Sequence, residues 1–181
     1  MEANEAGELQ EHAEHGAQEP SMRPVAFTMS VLAVLVAITT VLGHRTHTEA
    51  VLRQNQATDQ WNLYQAKNIR LTDTTNSLAL LSVLPVADAK KAAEIAKAGA
   101  DKQAKWKDDL KGEQEKAQSL EEAVERAEAK ADRFDLGEAL LEIALVTASI
   151  TLLTRNRLYW LLGLAFGVAG IVSSASVLLL K

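Results

Sequence analysis

Asp135, Glu138 and Glu142 stand at i, i+3 and i+7, which sets three carboxylates along one face of a helix. The residues after them are almost all apolar, so the face opens into a stretch fit to cross a bilayer. Glu142 lies thirteen residues before Arg155, which places it roughly 20 Å from that end and about 10 Å inside the opposite boundary. An ionised carboxylate at that depth is costly and is retained for a reason. Glu138 and Glu142 are therefore a candidate ion or proton site. The plainer reading is that the apolar segment starts later, near Ala139, and that these acids are interfacial.

Trp61, Tyr64, Lys67, Asn68 and Arg70 make the most distinctive polar cluster. On a helix Trp61, Tyr64 and Asn68 share a face, with Lys67 and Arg70 beside it. The cluster fits either a partner groove or a packed polar seam, and packing is the simpler of the two. His44 and His47 are spaced i, i+3, but a zinc site needs three or four ligands and only Glu49 is near. His12 and His15 stand in the same position in the acidic leader, so no metal is assigned. The chain has no cysteine, which removes disulfides, thiolate ligands and Cys–His catalysis. No nucleophile elbow, phosphate loop or metal-ligand set occurs, so the expectation is a protein without catalytic activity or cofactor.

The elements that carry these residues follow from charge and hydropathy. Residues 1–23 hold six Glu and one Arg with no apolar periodicity, and they are expected to form an acidic disordered tail. Residues 24–43 read as transmembrane helix 1, with Pro24 in the first turn, where its missing N–H costs nothing. An acidic leader and the lack of an A-x-A site near residue 43 favour a retained signal anchor over a cleaved peptide. Residues 136–154 and 158–180 read as transmembrane helices 2 and 3, joined by a tight turn at 155–157.

Between the first two spans, residues 44–135 carry fifteen Lys or Arg against sixteen acids. This near balance excludes a nucleic-acid partner, which needs concentrated basic charge. Ala50, Ala57, Tyr64, Leu71 and Leu78 recur every seven residues, and Gln54, Trp61, Asn68, Thr75 and Ser82 are read as their companions in a polar-layered seam. Trp106, Leu110, Glu113, Ala117, Leu120, Val124, Ala127, Ala131 and Phe134 alternate spacings of four and three, with Glu113 the one charge among them. Ala89, Ala92, Ala93, Ala96 and Ala100 form a small-residue face before it. Pro85 pushes the residue before it out of helical geometry, so the segment is expected to turn there. Two arms of roughly 60–70 Å then run antiparallel. The fold expected is an all-α membrane protein: three transmembrane helices with a long antiparallel coiled-coil hairpin inserted between the first and second.

Gly163, Gly167, Gly170 and Ser174 line the third span at the spacing that lets membrane helices approach closely. They are assigned to span packing, within the protomer or between copies. The two arginines of the 155–157 turn, together with Arg23, place that turn and the amino terminus in the cytoplasm and the hairpin in the periplasm.

The segments Thr48-Glu49-Ala50, Gln60-Trp61, Tyr64-Gln65-Ala66-Lys67-Asn68-Ile69-Arg70 and Arg133-Phe134-Asp135-Leu136 resemble a bacterial membrane-protein family known only as domain of unknown function 4337. The resemblance covers most of the chain after about residue 22. It implies a bacterial envelope protein with this order of spans, and it brings no activity or catalytic residues; the localisation expected is the bacterial inner membrane. The function expected is that of a structural or interaction scaffold of the bacterial envelope. Its partners would be the lipid bilayer, further copies of itself and an unidentified envelope protein. The alternative is an oligomeric channel with the acidic face of span 2 along the pore.

Overall fold

The computed structural model describes residues 20–85 and 87–179. Most of the acidic tail, with His12 and His15, and the last residue of the third apolar stretch lie outside these. Three helices account for nearly all of the described chain: α1 (Arg23–Val83), α2 (Ala89–Thr154) and α3 (Arg157–Ser176), followed by one 3-10 turn, Val177–Leu179. Each contains a stretch long and apolar enough to cross a membrane.

Local chemistry sets the helix ends. α1 stops at Val83, two residues ahead of Pro85. Asp88 then caps α2, its carboxylate accepting the Lys91 N–H at 3.1 Å. α2 closes with the Arg155 N–H on the Thr151 carbonyl at 2.8 Å. Arg155 sits in the left-handed region at φ 53°, the conformation that commonly ends a helix. Asn156 is extended and caps α3 by accepting the Leu158 N–H at 3.0 Å.

Contacts divide the chain into two compact units, residues 1–50 with 126–181, and residues 51–125. In the first, three apolar helices pack side by side. Met22, just before α1, and Val25, Met29, Leu32 and Val36 of α1 meet Leu141, Ala144, Leu145 and Ala148 of α2, with Leu152 and Trp160 at the margin. Met22, Val25, Met29, Leu32, Val36, Thr39, Gly43, Thr46 and Ala50 face inward at alternating spacings of three and four, with Ala26 buried beside them. α2 buries a second stripe, Gly137, Ala144 and Thr151, because it has α3 as well as α1 for a neighbour. Several hydroxyls in these apolar segments turn back on their own helices: Thr28 donates to the Pro24 carbonyl at 2.8 Å, and Thr147 to that of Ile143 at 2.6 Å. Such bonds make a polar side chain tolerable where no water is at hand.

In the second unit, side chains of the two helices meet in pairs whose numbers rise on α1 as they fall on α2. Lys67 meets Glu113, Thr75 meets Gln103, and Leu78 lies against Gly99. The Ala57, Tyr64, Leu71 and Leu78 stripe faces inward or is half-buried, as is the α2 stripe from Trp106 to Val124. The companions expected on α1 are corrected. Arg53, Gln60, Lys67, Thr74 and Leu81 turn inward or are half-buried, while Gln54, Asn68, Thr75 and Ser82 are exposed. Both companion sets are mostly polar and both satisfy the three-and-four count, so composition cannot choose between them. Counting on from Met22 and Val25 through the apolar stretch does arrive at 53, 60 and 67. The alanine face is corrected too: Ala92 is half-buried, whereas Ala89, Ala93, Ala96 and Ala100 are exposed. The close approach comes instead at Gly99, where an added Cβ would lie 2.9 Å from a Leu78 methyl.

Candidate functional site

The acidic face resolves into three separate environments. Glu138 continues the inward stripe of α2 four residues beyond Phe134 and is half-buried. Its Oε1 lies 2.6 Å from the Thr40 hydroxyl, which is also 3.0 Å from the Val36 carbonyl. Asp135 is half-exposed and takes His47 Nε2 between its two oxygens, each at 3.0 Å. Glu142 is half-buried and has no hydrogen-bond partner among the described residues. Glu138 and Glu142 thus share a face without sharing a ligand-binding geometry. His44 is exposed, and among the described residues no three metal-ligating side chains converge.

Thr40 was not legible as the partner of Glu138, because that requires the pairing of helices some hundred residues apart. Removing its hydroxyl by Thr40→Val is expected to destabilise the three-helix unit by about 0.5–1.5 kcal/mol. Glu142→Gln, with no bond to lose, is expected to leave stability unchanged. Detergent unfolding curves of the two variants check this, and equal losses would contradict the assignment.

The polar cluster of the second unit centres on Glu113. Lys67 Nζ lies 2.5 Å from Glu113 Oε1, and Gln60 Nε2 donates to the other carboxylate oxygen. The Lys67 ammonium, and after it the Gln60 amide, holds the Glu113 carboxyl below its ordinary value. Trp61 packs edge-on to Tyr64 with ring centroids 5.5 Å apart, and its indole N–H donates to Glu121 at 2.8 Å. Asn68 and Arg70, placed in the same cluster from the sequence, are exposed. Gln60 is the member that sequence reasoning missed; the uninterrupted register from Met22 was the signal that pointed to it.

The small residues of α3 fit against α2, which runs in the opposite direction. Gly163, Gly167, Gly170 and Ser173 are buried. A Cβ on Gly163 would lie 2.9 Å from the Ala144 carbonyl oxygen, and one on Gly170 would lie 2.9 Å from that of Gly137. Gly137 answers Ser174, whose half-buried side chain fills the space its missing Cβ leaves. Ser173 donates across to the Arg133 carbonyl at 3.0 Å. At the other end Trp160 Nε1 donates to Thr28 at 3.2 Å, tying α3 to α1. Two shallow apolar grooves of about 230 and 270 Å³ both touch Leu35 of α1 and Ile171 of α3, the larger also bounded by Phe134 and Leu141 of α2. Neither presents an ionisable side chain.

Residues 21–180 match the family described as Domain of unknown function (DUF4337). The chain belongs to the DUF4337 family. No curated protein and no solved structure matches it. In this DUF4337 chain the match takes in all three helices, the Glu138–Thr40 contact and the Lys67–Glu113–Gln60 layer alike.

Proposed function

We propose that this DUF4337 protein is a non-catalytic scaffold of the bacterial inner membrane. Three spans anchor an antiparallel coiled-coil hairpin that associates with copies of itself and with an envelope partner. The observation that carries this reading is the outward surface of the apolar segments. Phe27, Val31, Val34, Ile38 and Val41 on α1, Ile143, Val146, Ile150 and Leu153 on α2, and Leu161, Val168 and Val172 on α3 are all exposed. Apolar residues on every outer face of a three-helix unit suit a lipid solvent and would aggregate in water. The heptad-spaced inward residues of α1 and α2 in the second unit support the hairpin. Their alanine content supports association, because a thin seam leaves surface that further helices would cover.

The absence of cysteine makes the test direct. A single cysteine at Asn156 is expected to resist a membrane-impermeant maleimide in intact spheroplasts, and one at Ser82 to react. The reverse pattern would overturn the orientation, and labelling of both would overturn the spanning arrangement. Native mass spectrometry from nanodiscs is expected to show an oligomer; a monomer throughout would end the self-association reading.

Glu142 is what favours a second reading, an ion-conducting oligomer, since Glu138 is engaged by Thr40. In that case Glu142→Gln would abolish liposome ion flux while Glu49→Gln left it intact. Absence of flux in the parent protein would dispose of the channel.

A further inference from the structure

The two flanks of α1 in the three-helix unit differ in chemistry. Toward α3 it presents Phe27, Val31, Leu35 and Ile38, which line the apolar grooves. Toward α2 it presents Ser30, Ala33, Ala37 and Thr40, spaced three and four and all small or hydroxyl-bearing. Ser30 and Ala37 are exposed and Ala33 is half-buried. The adjoining flank of α2 carries Glu142 and Ser149. Glu142 follows Asp135 by seven residues and Glu138 by four, so it stands on the side where those acids meet His47 and Thr40 of α1. α3 packs on the other side of α2, against Gly137, Ala144 and Ala148. Ser30 and Ser149 turn to the Ala26 and Val146 carbonyls at 3.2 and 2.7 Å. On this flank Glu142 is left without a hydrogen-bond partner among the described residues.

We infer that this flank docks the same flank of a second copy, with the two Glu142 carboxyls in contact. Glu142 lies four residues, roughly 6 Å, further into the apolar segment than Glu138. An ionisable side chain at that depth calls for a protein partner, which this chain does not itself supply. Copies inserted the same way are related by a twofold axis along the membrane normal, so each residue near the axis meets residues at its own depth. A second copy therefore brings a polar group to the level of Glu142 by symmetry. As neutral acids the two carboxyls satisfy one another, each O–H donating to the other's carbonyl oxygen. Ser30, Ala33 and Ala37 let the helices come close enough for that bond. The inference rests on the spanning, self-associating reading and names its interface. It differs from the channel in that Glu142 is sealed between copies, away from water.

The lack of cysteine allows site-directed crosslinking of the full chain in membranes. Val146→Cys and Ser149→Cys, one and two turns beyond Glu142 on the same flank, are expected to form interchain disulfides on oxidation. Val168→Cys, on the exposed side of α3, is not. Glu142→Leu should weaken association in detergent by roughly fivefold to thirtyfold. Glu142→Gln should keep it, because two amides pair as two acids do. Ala37→Leu should also weaken it by holding the helices apart, and it leaves Glu142 in place. Disulfides at residue 168 in preference to 146 and 149, or unchanged association of either leucine variant, would overturn the inference while leaving self-association standing. So would association lost in Glu142→Gln together with ion flux, which assigns the carboxyl to a pore. Failure of the self-association reading looks different: the parent chain stays a monomer in nanodiscs, and no position crosslinks.

Discussion

Gly170→Ala is expected to lower the stability of the three-helix unit by about 1–3 kcal/mol, although alanine favours a helix over glycine by about 1 kcal/mol. The new Cβ would lie 2.9 Å from both the Gly137 carbonyl oxygen and Leu141 Cγ, and 3.1 Å from the Leu141 nitrogen. Two of these three are backbone atoms of a packed helix, so relief requires α3 to move away from α2. That movement would also strain the Ser173 bond to the Arg133 carbonyl. Gly137→Ala should do similar damage, because its Cβ would collide with the Ser174 hydroxyl and lie 3.0 Å from the Gly170 carbonyl oxygen. Gly112 is the internal control. Nothing lies within 4 Å of a Cβ placed there, so Gly112→Ala should stabilise α2 by about 0.5–1 kcal/mol through propensity alone. Unfolding in detergent measures all three, and a Gly170→Ala protein as stable as its parent would mean that α2 and α3 do not pack this closely.

The second large effect is expected at the Lys67–Glu113–Gln60 layer. Lys67→Met leaves the Glu113 carboxylate at an inward position with the Gln60 amide as its remaining partner, and Glu113→Met leaves the half-buried ammonium without its acceptor. Each single change should destabilise the second unit more than loss of an exposed ion pair does. The Lys67→Met/Glu113→Met double variant should recover most of that loss, since replacing both charges removes the unmatched one. Additive losses would show that the layer is solvated rather than packed. The layer also predicts a pH dependence of definite sign. Glu113 has its carboxyl held below the ordinary value of 4.5. Its contribution is therefore complete above that value and disappears as pH falls through it and on through the lower folded value. The stability gap between the parent and Glu113→Gln should be widest near neutrality and close in acid. A gap that widened with acid would reverse the assignment.

Heptads with polar members serve register more than strength. A seam of alanines slides easily, because its layers resemble one another. One carboxylate that must meet one ammonium and one amide penalises every other alignment. Glu138 and Thr40 stand in the same relation within the three-helix unit, again with an acid on the inward stripe of α2 and its donor on α1.

Helical class, three apolar stretches of spanning length and membership of the DUF4337 family were all legible in the residues. So was the α2 stripe from Trp106 to Phe134, because period and composition belong to one helix and need no partner to be seen. The sites of the helix ends, beside Pro85 and at Arg155–Asn156, are local chemistry of the same kind. What the tertiary structure decided was partnership. It chose Lys67 and Gln60 for Glu113 and Thr40 for Glu138, left Glu142 without a bond, and turned Asn68 and Arg70 outward. It also set the glycines of α3 against the backbone of α2. Each of these depends on the alignment of two helices tens of residues apart in sequence, where a shift of one residue rotates a side chain by a hundred degrees and changes every neighbour it meets.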